Sequence, residues 1–171
     1  FVNATVTPLR DKRAERLALL LQVERRARAE ADLLGLAFLM VNDSRQLFDY
    51  REGLLWHAAE DRITTCSGLA QVEANAPFML FLRRLCQGWQ RQPWAAELRE
   101  LSATDSTPEN HNEWHEYLAE YLVWVPLRRR DGELLGCLLL SREQPLARSE
   151  RALVVLIQDA YAHAWSGVAG S

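Results

Sequence analysis

The sequence predicts an α+β domain, an antiparallel sheet flanked by N- and C-terminal helices with a helical insert over its other face. Three observations predict it. Apolar residues recur every three or four positions near both ends of the 171-residue chain, the mark of amphipathic helices. Two pairs of short apolar or β-branched runs, each pair joined by a turn signal, lie between those ends. A polar, helix-compatible stretch separates the pairs, and grouped hairpins with helices at both ends favour a sheet covered by layers of helix.

Residues 1–8 read as an extended segment ending at Pro8, residues 9–166 as the domain, and residues 167–171 as a tail. From Leu9 to about Tyr50 the stripe Leu20, Val23, Ala27, Ala31, Leu34, Phe38, Val41 and Phe48 predicts helix. A break is expected near Ala31–Asp32, because aspartate favours a cap over a helix interior. Gly53 to His57 is too short for a stable helix and reads as a strand. Arg62 to Cys66, rich in β-branched residues, pairs with it across Glu60-Asp61.

Asn75-Ala76-Pro77 opens a helix whose inner face carries Phe78, Phe81, Leu82, Leu85 and Trp89. Trp94 to Leu101 is compatible with a further turn or two of helix. Ser102 to Asn110 is a polar link, and Thr107-Pro108 begins a helix running to about Glu120. Tyr121 to Leu127 is the strongest strand, Asp131-Gly132 a hairpin turn, and Glu133 to Ser141 the return strand. The return strand's continuous apolar run implies burial on both faces. Ser149 to Trp165 closes the chain as an amphipathic helix.

The totals bound the function classes. A net charge of −3 gives no reason to expect nucleic acid as a partner. Three cysteines without a CxxC pair argue against a disulfide framework or a zinc ribbon and fit a reducing compartment. No run approaches the roughly 18 apolar residues that span a bilayer, so no membrane insertion is expected within these residues.

Val125-Pro126-Leu127, the polar hairpin Arg128 to Gly132, and Leu134-Leu135-Gly136-Cys137-Leu138-Leu139-Leu140, followed by an amphipathic helix, together resemble a GAF domain. The resemblance covers nearly the whole chain. It implies a sensory, regulatory or assembly domain that binds a small ligand or a partner and dimerises through its terminal helices. The family's cyclic-nucleotide motif is absent, and neither Cys66-Ser67 nor Cys86-Gln87 offers the cysteine–histidine pair of bilin-binding members.

A narrower resemblance rests on Val41-Asn42-Asp43-Ser44-Arg45, Tyr50-Arg51, Trp56, Asn75-Ala76-Pro77-Phe78 and Asp159 to Trp165. These look like the N-terminal cytoplasmic region of bacterial membrane-fusion (HlyD-like) adaptor proteins. That resemblance implies a cytoplasmic module of a secretion or efflux system, tethered to the inner membrane through sequence outside these residues, with secretion or efflux proteins as partners.

Pocket candidates are Trp56, Cys66, Trp114, His115, Trp124 and Cys137. The tryptophans offer rigid apolar surface with an N–H handle, and plain core packing is the alternative for each. Trp124 alternates with Val123 and Val125, so it faces the opposite side of the sheet from them; which side is open at this level. His111 and His115 share a helix face at the spacing of two zinc ligands, but Asn112 stands where a metalloprotease carries its glutamate. No metal ligand set and no required cofactor follow. Arg51 and His57 could meet an anionic ligand or form surface ion pairs. Arg128-Arg129-Arg130 reads as a solubilising hairpin tip, with a phosphate or lipid headgroup as the alternative.

No catalytic motif stands out, so a non-enzyme is expected. The alternative is a thiol-dependent enzyme resembling GAF-fold free methionine sulfoxide reductases, in which Cys66 and Cys137 approach each other and one has a depressed pKa.

Overall fold

The computed structural model describes residues 3–169. Helix α1 (Asn3–Ala29) leads into α2 (Leu33–Asp43) and a 3-10 turn at Ser44–Gln46, and the hairpin β1 (Glu52–His57) and β2 (Arg62–Cys66) follows. The insert holds α3 (Pro77–Trp89), a short strand β3 (Arg99–Leu101), 3-10 turns at Ala103–Asp105 and Pro108–Asn110, and α4 (His111–Tyr117). The hairpin β4 (Tyr121–Arg128) and β5 (Leu134–Arg142) and the closing helix α5 (Arg148–Ala169) complete the chain.

The five strands pair antiparallel in the order β2-β1-β5-β4-β3. The two hairpins therefore meet along β1 and β5, where Trp56 stands opposite Cys137 and Leu54 opposite Leu139. Strand alternation divides the interior into two cores. Leu55, Val123, Val125, Leu138 and Leu140 pack beneath α1, α2 and α5. Leu54, Trp56, Ile63, Trp124, Cys137 and Leu139 pack beneath the insert. As expected from its unbroken apolar run, β5 is buried on both faces.

Asp32 caps α2 by accepting the Gly35 N–H at 2.8 Å, so the helix break falls where an aspartate cap was expected. The helix expected as far as Tyr50 is shorter, since it ends at Asp43 and a 3-10 turn follows. Ser44 donates to the Met40 carbonyl at 2.8 Å and lies 2.6 Å from Tyr161 Oη. With its own proton so used, Ser44 accepts from Tyr161, and this buried pair ties α2 to α5. Tyr50 donates to the Val41 carbonyl at 2.6 Å. Arg142, buried beside the start of α5, bonds the Asp49 and Gln144 carbonyls and the Glu150 carboxylate. Breaking such a buried charge pair by removing one partner is costly, because the remaining charge stays desolvated.

Four further expectations need correction. The extended start is helical from Asn3 through Pro8; a proline in the second turn gives up one backbone hydrogen bond and crowds the carbonyl four residues back, a cost that the long run of helix formers after it outweighs. Residues 1 and 2 lie outside the described residues. The tail expected from residue 167 continues α5 to Ala169, and residues 170 and 171 lie outside the described residues. Trp94 to Leu101, compatible with a further turn or two of helix, forms turns and then strand β3, whose Leu101 is buried and whose Glu100 accepts the Leu146 N–H at 2.6 Å. Leu34, assigned to the buried stripe, is exposed, because the cap at Asp32 resets the helical phase between α1 and α2.

Among the described residues no helix is long and apolar enough to cross a membrane.

Gly136 marks the tightest approach in the sheet. A Cβ there would meet the Trp56 carbonyl oxygen and lie 2.6 Å from Trp165 Cη2, so backbone and a buried ring both block it. At Gly88 in α3 a Cβ would have no other atom within 4 Å. Gly136→Ala is expected to lower stability in urea by about 2–3 kcal/mol through overpacking. Gly88→Ala is expected to raise it by about 0.5–1 kcal/mol by favouring helix.

Candidate functional site

Two kinds of site are available to this architecture, a chamber between the sheet and the insert and the open surfaces around the terminal helices. The chamber is closed. Trp124 projects from β4 to the insert side, which settles the face that the sequence left open. Trp56 lies 6.3 Å from it, ring centre to ring centre, and Trp89 and Trp94 meet it edge-on at 5.8 and 6.2 Å. Trp114 joins through Trp89 at 6.0 Å. Such edge-to-face contacts suit the ring quadrupoles and pack the space densely.

Three of these indoles spend their N–H on a carbonyl: Trp89 on Asp105, Trp114 on Ala119 and Trp124 on Ala95. Trp56 is fully buried and its Nε1 has no partner. An unmet buried donor carries a desolvation cost of about 1–3 kcal/mol.

Of the residues singled out from the sequence, Trp56, Cys66, Trp114, Trp124 and Cys137 gather in the core on the insert side. His115 does not join them; it is exposed on α4, whereas its neighbour Trp114 is buried. His111 is partly buried, and no group of three or more His, Cys, Asp or Glu able to hold a metal ion occurs among the described residues. Arg51 is engaged with Glu52, Glu143 and the Tyr117 carbonyl. His57 sits against the Trp165 ring at 5.4 Å and 3.7 Å from Glu60.

All three cysteines are buried and free. Burial, with a smaller push from Glu52, raises Cys66 to about 11. Burial also pushes Cys86 and Cys137 well up, Asp61 adding to the first and the neighbouring Cys86 to the second. Cys137 thus has Cys86 as its electrostatic neighbour, where Cys66 was expected. The depressed pKa that thiol catalysis requires is replaced by its opposite, because the thiols are buried among apolar side chains that disfavour the thiolate.

The open surface lies elsewhere. A groove of about 1000 Å³ runs between α5 and the tip of the β4–β5 hairpin, lined by Leu98, Pro126, Arg128, Arg130, Gln158 and His163 among others. A second cavity of about 390 Å³, floored by Leu33, Leu135 and Trp165, adjoins it, and Arg129 lines both. Sequence reasoning saw the arginine run but not the groove, since α5 supplies the opposite wall from some thirty residues further along the chain.

No protein-family model matches the chain, and no curated protein does. Among solved structures it is similar to the GAF domain of a phosphoenolpyruvate-protein phosphotransferase from Coxiella burnetii. That match has a TM-score of 0.63 and 17% identity over 92% of this chain and 96% of that one. The corresponding Acinetobacter GAF domain gives 0.60 and 14% over 91% and 95%. A bacteriophytochrome from the photosynthetic bacterium R. palustris gives 0.60 and 11% over 89% of this chain and 38% of that one. At these identities the likeness shows the fold, a GAF fold, as the sequence pattern led us to expect.

Two outcomes follow from the chamber. Trp124→Phe removes a made hydrogen bond and strands the Ala95 carbonyl, whereas Trp56→Phe removes an unmet donor. In urea unfolding, Trp124→Phe is expected to cost about 1 kcal/mol more than Trp56→Phe. A thiol probe at neutral pH is expected to label Cys66, Cys86 and Cys137 slowly in the native protein, with Cys66 accelerating as pH approaches 11. Complete labelling of any one of them within seconds at pH 7 would contradict their placement.

Proposed function

We propose that this chain is a non-catalytic regulatory or assembly domain that works by pairing with a second copy of itself through α1 and α5. The observation that carries the reading is the apolar surface on the outer faces of these two helices. Leu17 and Leu21 on α1 are 57% and 59% exposed, and Val155 and Leu156 on α5 are 49% and 46% exposed. The inner faces of the same helices, through Leu20, Val23, Leu153 and Ile157, are already buried in the domain core. A helix with one apolar stripe needs one neighbour; a second stripe at i, i+4 spacing on α1 asks for another.

The filled chamber supports the same reading. With tryptophan rings where a ligand would otherwise sit against the sheet, regulation passes more simply through surfaces than through an internal pocket. A ligand or partner would act by favouring one helix packing over another, which requires different affinity for the two arrangements. The thiol-enzyme alternative is disfavoured by the upward shift of all three thiols. Placement in the cytoplasm beside the inner membrane, within a secretion or efflux assembly, is the finer form of this proposal and rests on the sequence resemblance alone.

Sedimentation equilibrium tests the pairing. The chain is expected to be dimeric at about 100 μM, well above a micromolar Kd, and the triple variant Leu17→Glu, Leu21→Glu, Leu156→Glu monomeric, with the urea midpoint that the wild type shows when diluted well below that Kd. A wild-type chain that stays monomeric at that concentration sinks the proposal.

A further inference from the structure

We propose that the groove between α5 and the β4–β5 hairpin is a binding site for a phosphate-bearing anion. The groove lies on the opposite side of the sheet from the tryptophan-filled chamber, and its size of about 1000 Å³ is at the upper end of small-molecule sites. Arg128, Arg129 and Arg130 reach it together from the hairpin. Arg129 is held by Glu133 at 3.3 Å, but Arg128 and Arg130 have no carboxylate partner among the described residues. Two unpaired guanidiniums on one wall present forked donors that match the several oxygens of a phosphate group better than a single acceptor.

The far wall is suited to the same chemistry. The Gln158 amide donates to the Pro126 carbonyl at 2.8 Å, which fixes α5 against β4 at the floor of the groove. Beyond it, His163 and Ser166 line the α5 side, and Ala162 and Gly167 leave the space unobstructed. Leu98 and Val155 supply an apolar margin for whatever the phosphate is attached to.

Two carboxylates also line the groove, and they shape the expectation. Asp131 is committed to the turn, accepting the Glu133 N–H at 2.9 Å. Asp159 is exposed and without a partner among the described residues, so it repels an anion and lowers its affinity. Removing the Asp159 charge should therefore tighten binding, while removing the free arginines should weaken it. Overall charge cannot supply the attraction, because a chain with a net charge of −3 repels an anion and only local positive charge can draw one in.

The site shares Val155 with the pairing surface but makes no use of Leu17, Leu21 or Leu156, so substitutions at those leucines and at the arginines let the two proposals fail separately. Titration calorimetry with inorganic tripolyphosphate, using the whole chain, is the first arm. Co-sedimentation with phosphatidylcholine vesicles containing phosphatidic acid is the second, and distinguishes a free phosphate compound from a lipid headgroup. The Arg128→Ala, Arg130→Ala double variant is expected to bind at least about tenfold more weakly and Asp159→Asn about threefold more tightly, as charge-assisted contacts at a partly screened surface allow. Binding in the first arm with these changes assigns a soluble phosphate compound. Binding confined to the second, again lost in the double variant, assigns a headgroup. No binding in either arm, or a double variant that binds like the wild type, overturns the site.

Discussion

Everything in this fold depends on β5 being buried on both faces. A strand in that position has no polar side to offer, and its residues from Leu135 to Leu140 are correspondingly apolar or small. Because β5 also pairs with both β1 and β4, it joins the two hairpins into one sheet. Its alternating side chains feed the helix-side core at Leu138 and Leu140 and the insert-side core at Cys137 and Leu139. Gly136 lets the strand pass between the Trp56 carbonyl and the Trp165 ring, so the helical and insert layers are coupled through a single backbone position.

Much of this was legible in the sequence where a physical signal was long or chemically distinct. Asp32 announced a helix cap, Asp131-Gly132 a turn, and Leu134 to Leu140 a doubly buried strand; Gly132 indeed adopts a φ of +93°. Strand β3 was not legible, because three residues are too few to show a period, and its identity comes from pairing with β4, far along the chain. The side of the sheet taken by Trp124 was likewise hidden. Alternation gives relative facing only, and the absolute choice depends on which layer each helix joins.

The candidate site divides along the same line. Composition pointed to the tryptophans, and Trp56, Trp89, Trp94, Trp114 and Trp124 do meet ring to ring in one layer. What the sequence did not convey is that their rings fill the chamber rather than line it, since that is a question of volume. Nor did it convey that Cys137 faces Cys86 from the insert. The arginine run gave a local sign of charge, but a groove needs a second wall, and only the tertiary arrangement brings α5 to it. With the inner chamber occupied, the two open cavities on the surface both border the terminal helices or the β4–β5 hairpin.

The stretch of α1 just before its buried face carries a consequence of its own. From Lys12 to Ala18 every side chain is exposed, and among the described side chains the first one buried in the core is Leu20. At about 1.5 Å per residue, that stretch reaches roughly 10 Å beyond its nearest core anchor. The stretch continues a 27-residue helix already anchored in the core, so it needs no nucleus of its own, and its helicity rests on propagation, which gains little per residue. Its helical content is therefore a gauge of its surroundings, low when the segment stands alone and high when something lies alongside it. The amide protons of residues 12–18 would exchange at a rate set by that neighbour, making this stub a built-in reporter of the company the domain keeps.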